Sequence, residues 1–319
     1  MTGQNGFDVV RLSDIKEMPE KQWHIDKLWG HESVGIIGGE PKVCKSWLAL
    51  EMALSTASKT PCLGTFDIKN PGLCLAYFAE DSRTNTLLRF QNLCKAREIE
   101  PNTVPLLLID SPVLRLDEDK DREKLEATLA KYKPTLLVLD PLVRLHSLDE
   151  NSAREMAGLL SFIRSLQRKY KVAIILTHHT SKKRRPRLGQ SLRGSGDLHA
   201  FGDTNIYLSK VKGAIRVQLE HRDAPSDEQP IFVKLVGSGA TDPVHLKLVD
   251  KVSASTAPPS DHDIVEDEIL AFLSQTPGFV TGDTIRKEIG IRNAKMYQYL
   301  RKLEQNGKLR KVARGWMMA

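Results

Sequence analysis

The sequence predicts an α/β fold with a mostly parallel central sheet, followed by a small C-terminal domain. Three observations carry this. Apolar runs alternate with longer amphipathic stretches through the first half of the chain. A small, polar stretch at 253–263, with Pro258 and Pro259, interrupts the pattern. Beyond it, three helical periods precede two short strand-like runs. At 319 residues there is room for one sizeable α/β domain and an appendage.

The elements follow in order. Apolar runs at 34–37, 73–79, 106–109, 135–139 and 172–176 read as strands separated by helical stretches, which implies a parallel sheet with covering helices. Residues 151–170 show the helical period: Met156, Leu159, Leu160, Ile163 and Leu166 recur three or four apart, leaving Arg164, Arg168 and Lys169 for the outer face. Beyond Gly202, shorter alternating runs at 204–208, 215–219, 231–236 and 245–249 read as hairpins extending the sheet. The expected organisation is a main domain over 1–252, a linker over 253–263 and a second domain over 264–319. In that second domain, helices at 264–273, 281–288 and 293–306 and a hairpin at 308–312 and 315–318 follow a winged-helix order.

Hydrophobic residues make up 40% and charged residues 27%, an ordinary globular balance, and no stretch approaches the roughly 20 apolar residues that span a bilayer. The polar start, 1–8, has no apolar signal segment, so a cytoplasmic location with no membrane partner is expected. Cys44, Cys62, Cys74 and Cys94 form neither a CxxC pair nor a disulfide-like framework and read as reduced thiols, which argues against zinc. The net charge of +7 is compatible with a polyanionic partner, and its distribution decides the matter.

Strand 34–37 runs into Gly38, Gly39, Glu40, Pro41, Lys42, Val43, Cys44, Lys45 and Ser46, then into an apolar helix from Trp47 to Ala57. This is the strand, loop and helix setting of a phosphate-binding loop, and GxxxxGK[ST] fits with Gly39 first. Loop amides and the helix N-terminus face the phosphates, Lys45 reaches the β and γ oxygens, and the Ser46 hydroxyl ligates magnesium. ATP and Mg²⁺ are therefore the expected ligands, against a chance glycine-rich turn as the plainer alternative. Cys44 stands where the motif has glycine, so its side chain either crowds the phosphates or demands an unfavourable backbone angle.

Ligands of open α/β sheets sit at the carboxyl ends of strands, and several ends here carry suitable groups. The 73–79 run ends in Glu80, which can polarise a water for attack on a γ-phosphate; the alternative is a helix N-cap, which Asp81 or Ser82 supplies without Glu80. The 135–139 run ends in Asp140, four apolar residues then an acid, placed to hold the magnesium shell through water. The 172–176 run continues through Thr177 to His178 and His179, either of which can contact the γ-phosphate.

Between 181 and 196 lie Lys182, Lys183, Arg184, Arg185, Arg187 and Arg193 with no acidic residue, a pattern suited to phosphate contacts or to a solvated charge run. From Arg292 to Arg314 eight basic residues oppose Glu304 alone. There Arg292, Lys295 and Arg301 are candidate DNA contacts, and Tyr297, Gln298 and Arg301 share a helical face, although winged helices also dock proteins.

Over roughly 23–236 these residues resemble the RecA-like P-loop ATPases that include the hexameric RepA-type plasmid replication helicases and related DnaB-like proteins. The signs are the Gly-Glu-Pro-Lys loop followed by Lys45-Ser46-Trp47-Leu48-Ala49-Leu50, then Glu80-Asp81, Leu139-Asp140-Pro141-Leu142 and Thr177-His178-His179-Thr180. Arg193-Gly194-Ser195-Gly196 and Glu220-His221-Arg222-Asp223-Ala224-Pro225 extend the match. The resemblance implies a homo-oligomer, a hexamer in such families, with nucleotide between subunits and the stretch after the histidines entering a channel that grips single-stranded DNA. It implies for Arg222 an arginine finger acting in trans, with a surface arginine as the alternative. Glu220 stands two residues earlier, where the replicative-helicase pattern often carries lysine. The leading expectation is an ATP-driven DNA motor or helicase of a mobile element, with single-stranded DNA in the channel and duplex DNA as the candidate partner of the winged helix. The alternative is a nonmotor DNA-binding regulator or helicase loader whose ATPase is weak or lost.

Overall fold

The computed structural model describes residues 9–14, 22–180, 196–211, 213–223, 229–239, 241–249, 266, 269–270, 272–274, 276, 278–289, 293–312 and 315–318. The chain divides into two compact units, Met1–Val252 and Ser253–Ala319. The expected linker, apart from its sequence, lies outside the described residues.

The first unit opens with a two-strand hairpin, β1 (Trp23–Ile25) and β2 (Trp29–Gly30), too short to show a period in sequence. The main chain of the fold then runs β3 (Val34–Gly39), α1 (Lys45–Ser58), β4 (Cys74–Phe78), α2 (Arg83–Ala96), β5 (Leu106–Leu108), α3 (Asp119–Tyr132), β6 (Leu136–Asp140), α4 (Ala153–Tyr170) and β7 (Ala173–His179). A short α5 (Gly196–Phe201) precedes β8 (Thr204–Val211), β9 (Ala214–His221), β10 (Ile231–Val236) and β11 (His245–Leu248).

These strands form one nine-stranded sheet in the order β11-β10-β9-β8-β3-β7-β6-β4-β5. The six from β8 to β5 are parallel; β9, β10 and β11 add antiparallel neighbours at one side. The α/β class and the mostly parallel sheet are thus as the alternating pattern predicts. The later runs do form hairpins, with β8 joined in parallel to the first long strand on its other side.

Strand side chains alternate between faces, and both faces here are covered by helices. Ile37, Val138 and Ile175 pack with Leu48, Met52 and Leu54 of α1 in one core cluster. Ile36, Leu137, Leu139, Ile174 and Leu176 pack with Ile163 and Leu166 of α4 in the other. Helix α1 is buried nearly all round, and its one acid, Glu51, is held by Arg97 just past α2 (3.0 Å) and by the Leu63 amide (2.9 Å). Ser82 and Ser152 cap α2 and α4, their hydroxyls accepting from the amides of Asn85 and Glu155.

In the second unit, α6 (Gly282–Ile289) and α7 (Asn293–Gln305) precede the antiparallel pair β12 (Leu309–Val312) and β13 (Gly315–Met318). The Val280 and Trp316 backbones exchange two hydrogen bonds, adding a bridge beside β13. Met296, Tyr299, Leu300 and Leu303 of α7 face a core with Ile269, Ile285, Leu309 and Trp316. Tyr297, Gln298 and Arg301 are exposed on the other side of α7. No helix among the described residues is long and apolar enough to cross a membrane.

Candidate functional site

Strand parity decides which groups meet. Because β3, β7, β6 and β4 are parallel neighbours, their carboxyl ends lie side by side, with Gly39 opposite His179 and Phe78 opposite Asp140. Asp140 follows Val138, and Thr177 and His179 follow Ile175, so all three project to the α1 face, where the loop after β3 turns into its helix.

The loop is fixed from below and bent sharply above. Val43 is fully buried in the α1 core cluster. A Cβ on Gly39 would meet the Leu208 carbonyl oxygen and Val43 Cγ2, each at 2.7 Å, so only glycine lets β3 leave the sheet here. Glu40, Pro41 and Lys42 are exposed or nearly so. Cys44 is left-handed, φ 63° and ψ 29°, the angle at which glycine is free and an L-residue is strained; it is the N-cap of α1 and makes no side-chain cap bond. Its thiol is half-buried against the core, and burial pushes its pKa up, against the pull of Arg89, Lys210 and Lys45.

Lys45 turns back over the loop. Its Nζ donates to the carbonyls of Gly39 (3.0 Å) and Glu40 (2.9 Å) and lies 3.2 Å from His179 Nδ1. Burial lowers its pKa, with the Asp140 and Glu80 carboxylates opposing. Asp140 is buried, which raises its pKa; hydrogen bonds from the Ser46 and Thr177 hydroxyls oppose that rise. Lys45 and Ser46 of the loop and Asp140 from a strand almost a hundred residues later therefore meet in one place. The Ser46 hydroxyl beside the Asp140 carboxylate is a donor set that fits magnesium, whose all-oxygen shell is completed by phosphate and water.

Glu80 lies just beyond β4 and accepts from Arg144 Nε at 2.8 Å, both side chains well exposed. Ser82 provides the cap of α2, and Asp81 is bound to Arg89, so neither cap nor neighbour requires Glu80. Arg89 also lies 5.5 Å over the Trp47 ring, which places Trp47 beneath α2 rather than in the loop. The two histidines separate: His179 joins Lys45, whereas His178 is fully buried on the α4 face, 3.6 Å from Glu150, whose same oxygen lies 3.9 Å from His146.

Arg222 is placed far from its own loop. It follows β9, whose end pairs with the start of β8, and the start of β8 lies beside the start of β3. It is therefore at the opposite end of the strands, with Nη1 2.9 Å from Asp203 Oδ1 and Nη2 on the Ala200 and Phe201 carbonyls. Lys182, Lys183, Arg184, Arg185, Arg187, Arg193 and Arg292 lie outside the described residues. Lys295 lies on α7, and Arg301 is exposed there.

Sequence reasoning did not single out Thr177, Arg89 or Arg144. Thr177 had a signal, since it is two residues before His179 on one strand. The two arginines had none, because their partners lie on other elements.

Residues 7–185 match the AAA domain family. No curated protein matches. Among solved structures, the fold resembles the RadB recombinase, at 16% identity and a TM-score of 0.50 over 70% of this chain and 94% of that one. It also resembles a DnaB-like replicative helicase, described with its interactions with primase, at 16% identity and a TM-score of 0.50 over 69% of this chain and 58% of that one. At this identity the likeness is one of fold: a RecA-like α/β core.

Proposed function

The chain belongs to the AAA domain family, and on that premise we propose that it is an ATP-driven DNA motor, a hexameric replicative helicase-like ATPase of a mobile element. The observation that carries the reading is the convergence of Lys45, Ser46, Asp140 and Thr177 beside the α1 N-terminus. In the RepA-type and DnaB-like group that it resembles, such a core works as a ring.

Each residue has a part. Amides of 40–46 and the uncapped start of α1 receive the phosphates, and Lys45 exchanges its loop carbonyls for β and γ oxygens. Ser46 and Asp140 would hold magnesium, which neutralises charge on those oxygens, and Thr177 fixes the Asp140 carboxylate. Glu80 positions the attacking water once Arg144 yields; an exposed pair of this kind is worth about 0–1 kcal/mol, so it opens cheaply. His179, against Lys45, is the histidine that meets the γ-phosphate. Arg222 acts in trans, because its own loop is at the far end of the strands.

DNA contact is assigned to two regions. Lys182, Lys183, Arg184, Arg185, Arg187 and Arg193 follow β7 directly in sequence and bind single-stranded DNA in the channel. The second unit is a winged helix with α7 as its DNA-facing helix, through Lys295 and Arg301, joined by Arg292, which precedes α7 in sequence; the exposed Tyr297, Gln298 and Arg301 support this. The site of action is the cytoplasm.

Cys44 favours a second reading, a DNA-binding regulator or loader with weak ATPase, because a strained residue sits at the phosphate turn. One experiment separates them: ATP turnover with and without single-stranded DNA, and strand displacement, for wild type, Cys44→Gly and Lys45→Ala. The motor reading expects DNA-stimulated turnover that Lys45→Ala abolishes, with duplex opening. Wild-type turnover equal to that of Lys45→Ala sinks it, and turnover without duplex opening favours the loader.

A further inference from the structure

The end of the strands opposite the phosphate loop carries its own charge cluster, centred on Asp203. This carboxylate is 15% exposed and divides its oxygens among three donors: Oδ1 accepts from Arg222, while Oδ2 accepts from Arg164 of α4 and from the Val34 amide at 3.2 Å. The backbone is tied in as well. The Asp203 amide donates to the Val34 carbonyl (2.7 Å), and the Arg222 amide to the Asp203 carbonyl (2.9 Å). Arg164 further donates to the Phe201 carbonyl and lies 4.9 Å over the Phe201 ring, so it is locked, at 18% exposure. Arg222 is 47% exposed, and its Nη2 donates to the carbonyls of Ala200 and, at 3.3 Å, Phe201. An open cleft of about 590 Å³ lies alongside, with His31, Gln167 and Arg168 and the acids Glu32 and Asp223 on its walls.

The physical sense of this arrangement is specific. One fixed arginine and one exposed arginine share a single carboxylate, so the carboxylate cancels the repulsion between them and, together with the Ala200 and Phe201 carbonyls, orients the exposed guanidinium. We propose that Asp203, held by Arg164, is a positioning residue that aims Arg222 into this cleft for the phosphates of a second copy of the chain. The inference rests on the trans role of Arg222 given above and adds the residues that set its aim. It also makes the cleft the surface that receives the neighbour's phosphate loop, because Arg222 and Asp203 both line it.

The test uses full-length chains and mixed subunits. Asp203→Asn is isosteric and keeps an oxygen for the Val34 amide while removing the charge that pairs with Arg222 Nη1 and leaving its Nη2 on the Ala200 and Phe201 carbonyls. It should lower kcat for ATP on the order of 10- to 100-fold, the effect of misplacing a catalytic group by about an ångström, with KM unchanged. Lys45→Ala chains keep Arg222 but lose the loop; Arg222→Ala chains do the reverse. An equal mixture of those two should recover about a quarter of wild-type turnover, because one boundary in four pairs an intact arginine with an intact loop.

Asp203→Asn should behave as an arginine-side defect. It should recover turnover to a similar level with Lys45→Ala and recover none with Arg222→Ala. If Asp203 instead served its own loop through β3, the pattern would reverse, and that reversal overturns the proposal. Failure of Asp203→Asn to be complemented by Lys45→Ala, at a melting temperature equal to wild type, overturns it too. Arg164→Ala, which leaves Asp203 in place, should give the same pattern and carries the test if Asp203→Asn does not assemble. No recovery in the Lys45→Ala and Arg222→Ala mixture marks a failure of the trans reading itself, and the inference falls with it.

Discussion

Replacing Cys44 in turn by glycine, alanine and valine tests the phosphate turn most directly, because its backbone angle fixes the sizes of the effects. At φ 63° and ψ 29°, an L-residue is strained by about 1–2 kcal/mol relative to glycine. Cys44→Gly relieves that strain. It also adds about 0.4–1 kcal/mol of unfolded-state entropy and forfeits the packing of a half-buried thiol methylene, about 0.5–1 kcal/mol at roughly 0.8 kcal/mol per buried CH₂. These terms nearly cancel, so Cys44→Gly should leave stability within about 1 kcal/mol of wild type, or about 2–4 °C in melting temperature for a domain of this size. Cys44→Ala keeps the strain and loses only the sulfur. Cys44→Val puts a β-branched side chain at a left-handed angle it seldom tolerates and should cost a further 1–2 kcal/mol, roughly, together with ATP affinity. Thermal melts and ATP titrations of the four proteins check this. A valine variant as stable and as competent to bind ATP as the glycine variant would refute the left-handed turn and the reasoning built on it.

Three further outcomes follow from geometry already given. Gly39→Ala forces a methyl group to within 2.7 Å of the Leu208 carbonyl and should cost about 1–3 kcal/mol; the melting shift produced by ATP should shrink with it. Arg97→Ala strands the Glu51 carboxylate, 3% exposed, inside the protein, and breaking such a pair costs about 3–5 kcal/mol. Because the Leu63 amide still donates to Glu51, the low end is expected, seen as a fall of about 6–12 °C in melting temperature. His24 is buried neutral beside Thr56, its pKa pushed down to about 3 by burial and secondarily by His31. The unfolded chain therefore binds the extra proton first, so stability is full above about pH 6.5 and falls as the pH drops towards 3. By pH 5 the loss from this group is about 2 kcal/mol, and His24→Gln should remove that share of the slope in melts between pH 7 and pH 5.

Local information carried much of this molecule, and nonlocal pairing the rest. The phosphate turn is legible because one continuous stretch holds the strand, the turn and the helix. Asp140 is legible because four apolar residues and an acid form one strand. The choice between His178 and His179 is not, although alternation already groups Thr177 and His179 with Ile175, because nothing in a strand says which of its faces meets α1. The hairpin β1–β2 escapes notice because three- and two-residue strands have no period. The position of β8 beside β3, and with it the remoteness of Arg222 from its own loop, depends on a pairing across about 170 residues that no local pattern announces. The helix starts are legible only to within a residue or two: Ser152 and Thr281 fall inside the stretches read as helical, 151–170 and 281–288, whereas the structure places them as caps whose hydroxyls accept amides of the first turn.

Eleven of the fourteen residues of α1 are buried, on all sides of the helix. Such a helix has no face on which substitutions can accumulate: each position is constrained by volume, and Glu51 also by charge. Substitutions that retune the use of nucleotide without unsettling the core are thereby confined to the few residues between Gly39 and Lys45, where Glu40, Pro41 and Lys42 face solvent and Cys44 is only half-buried.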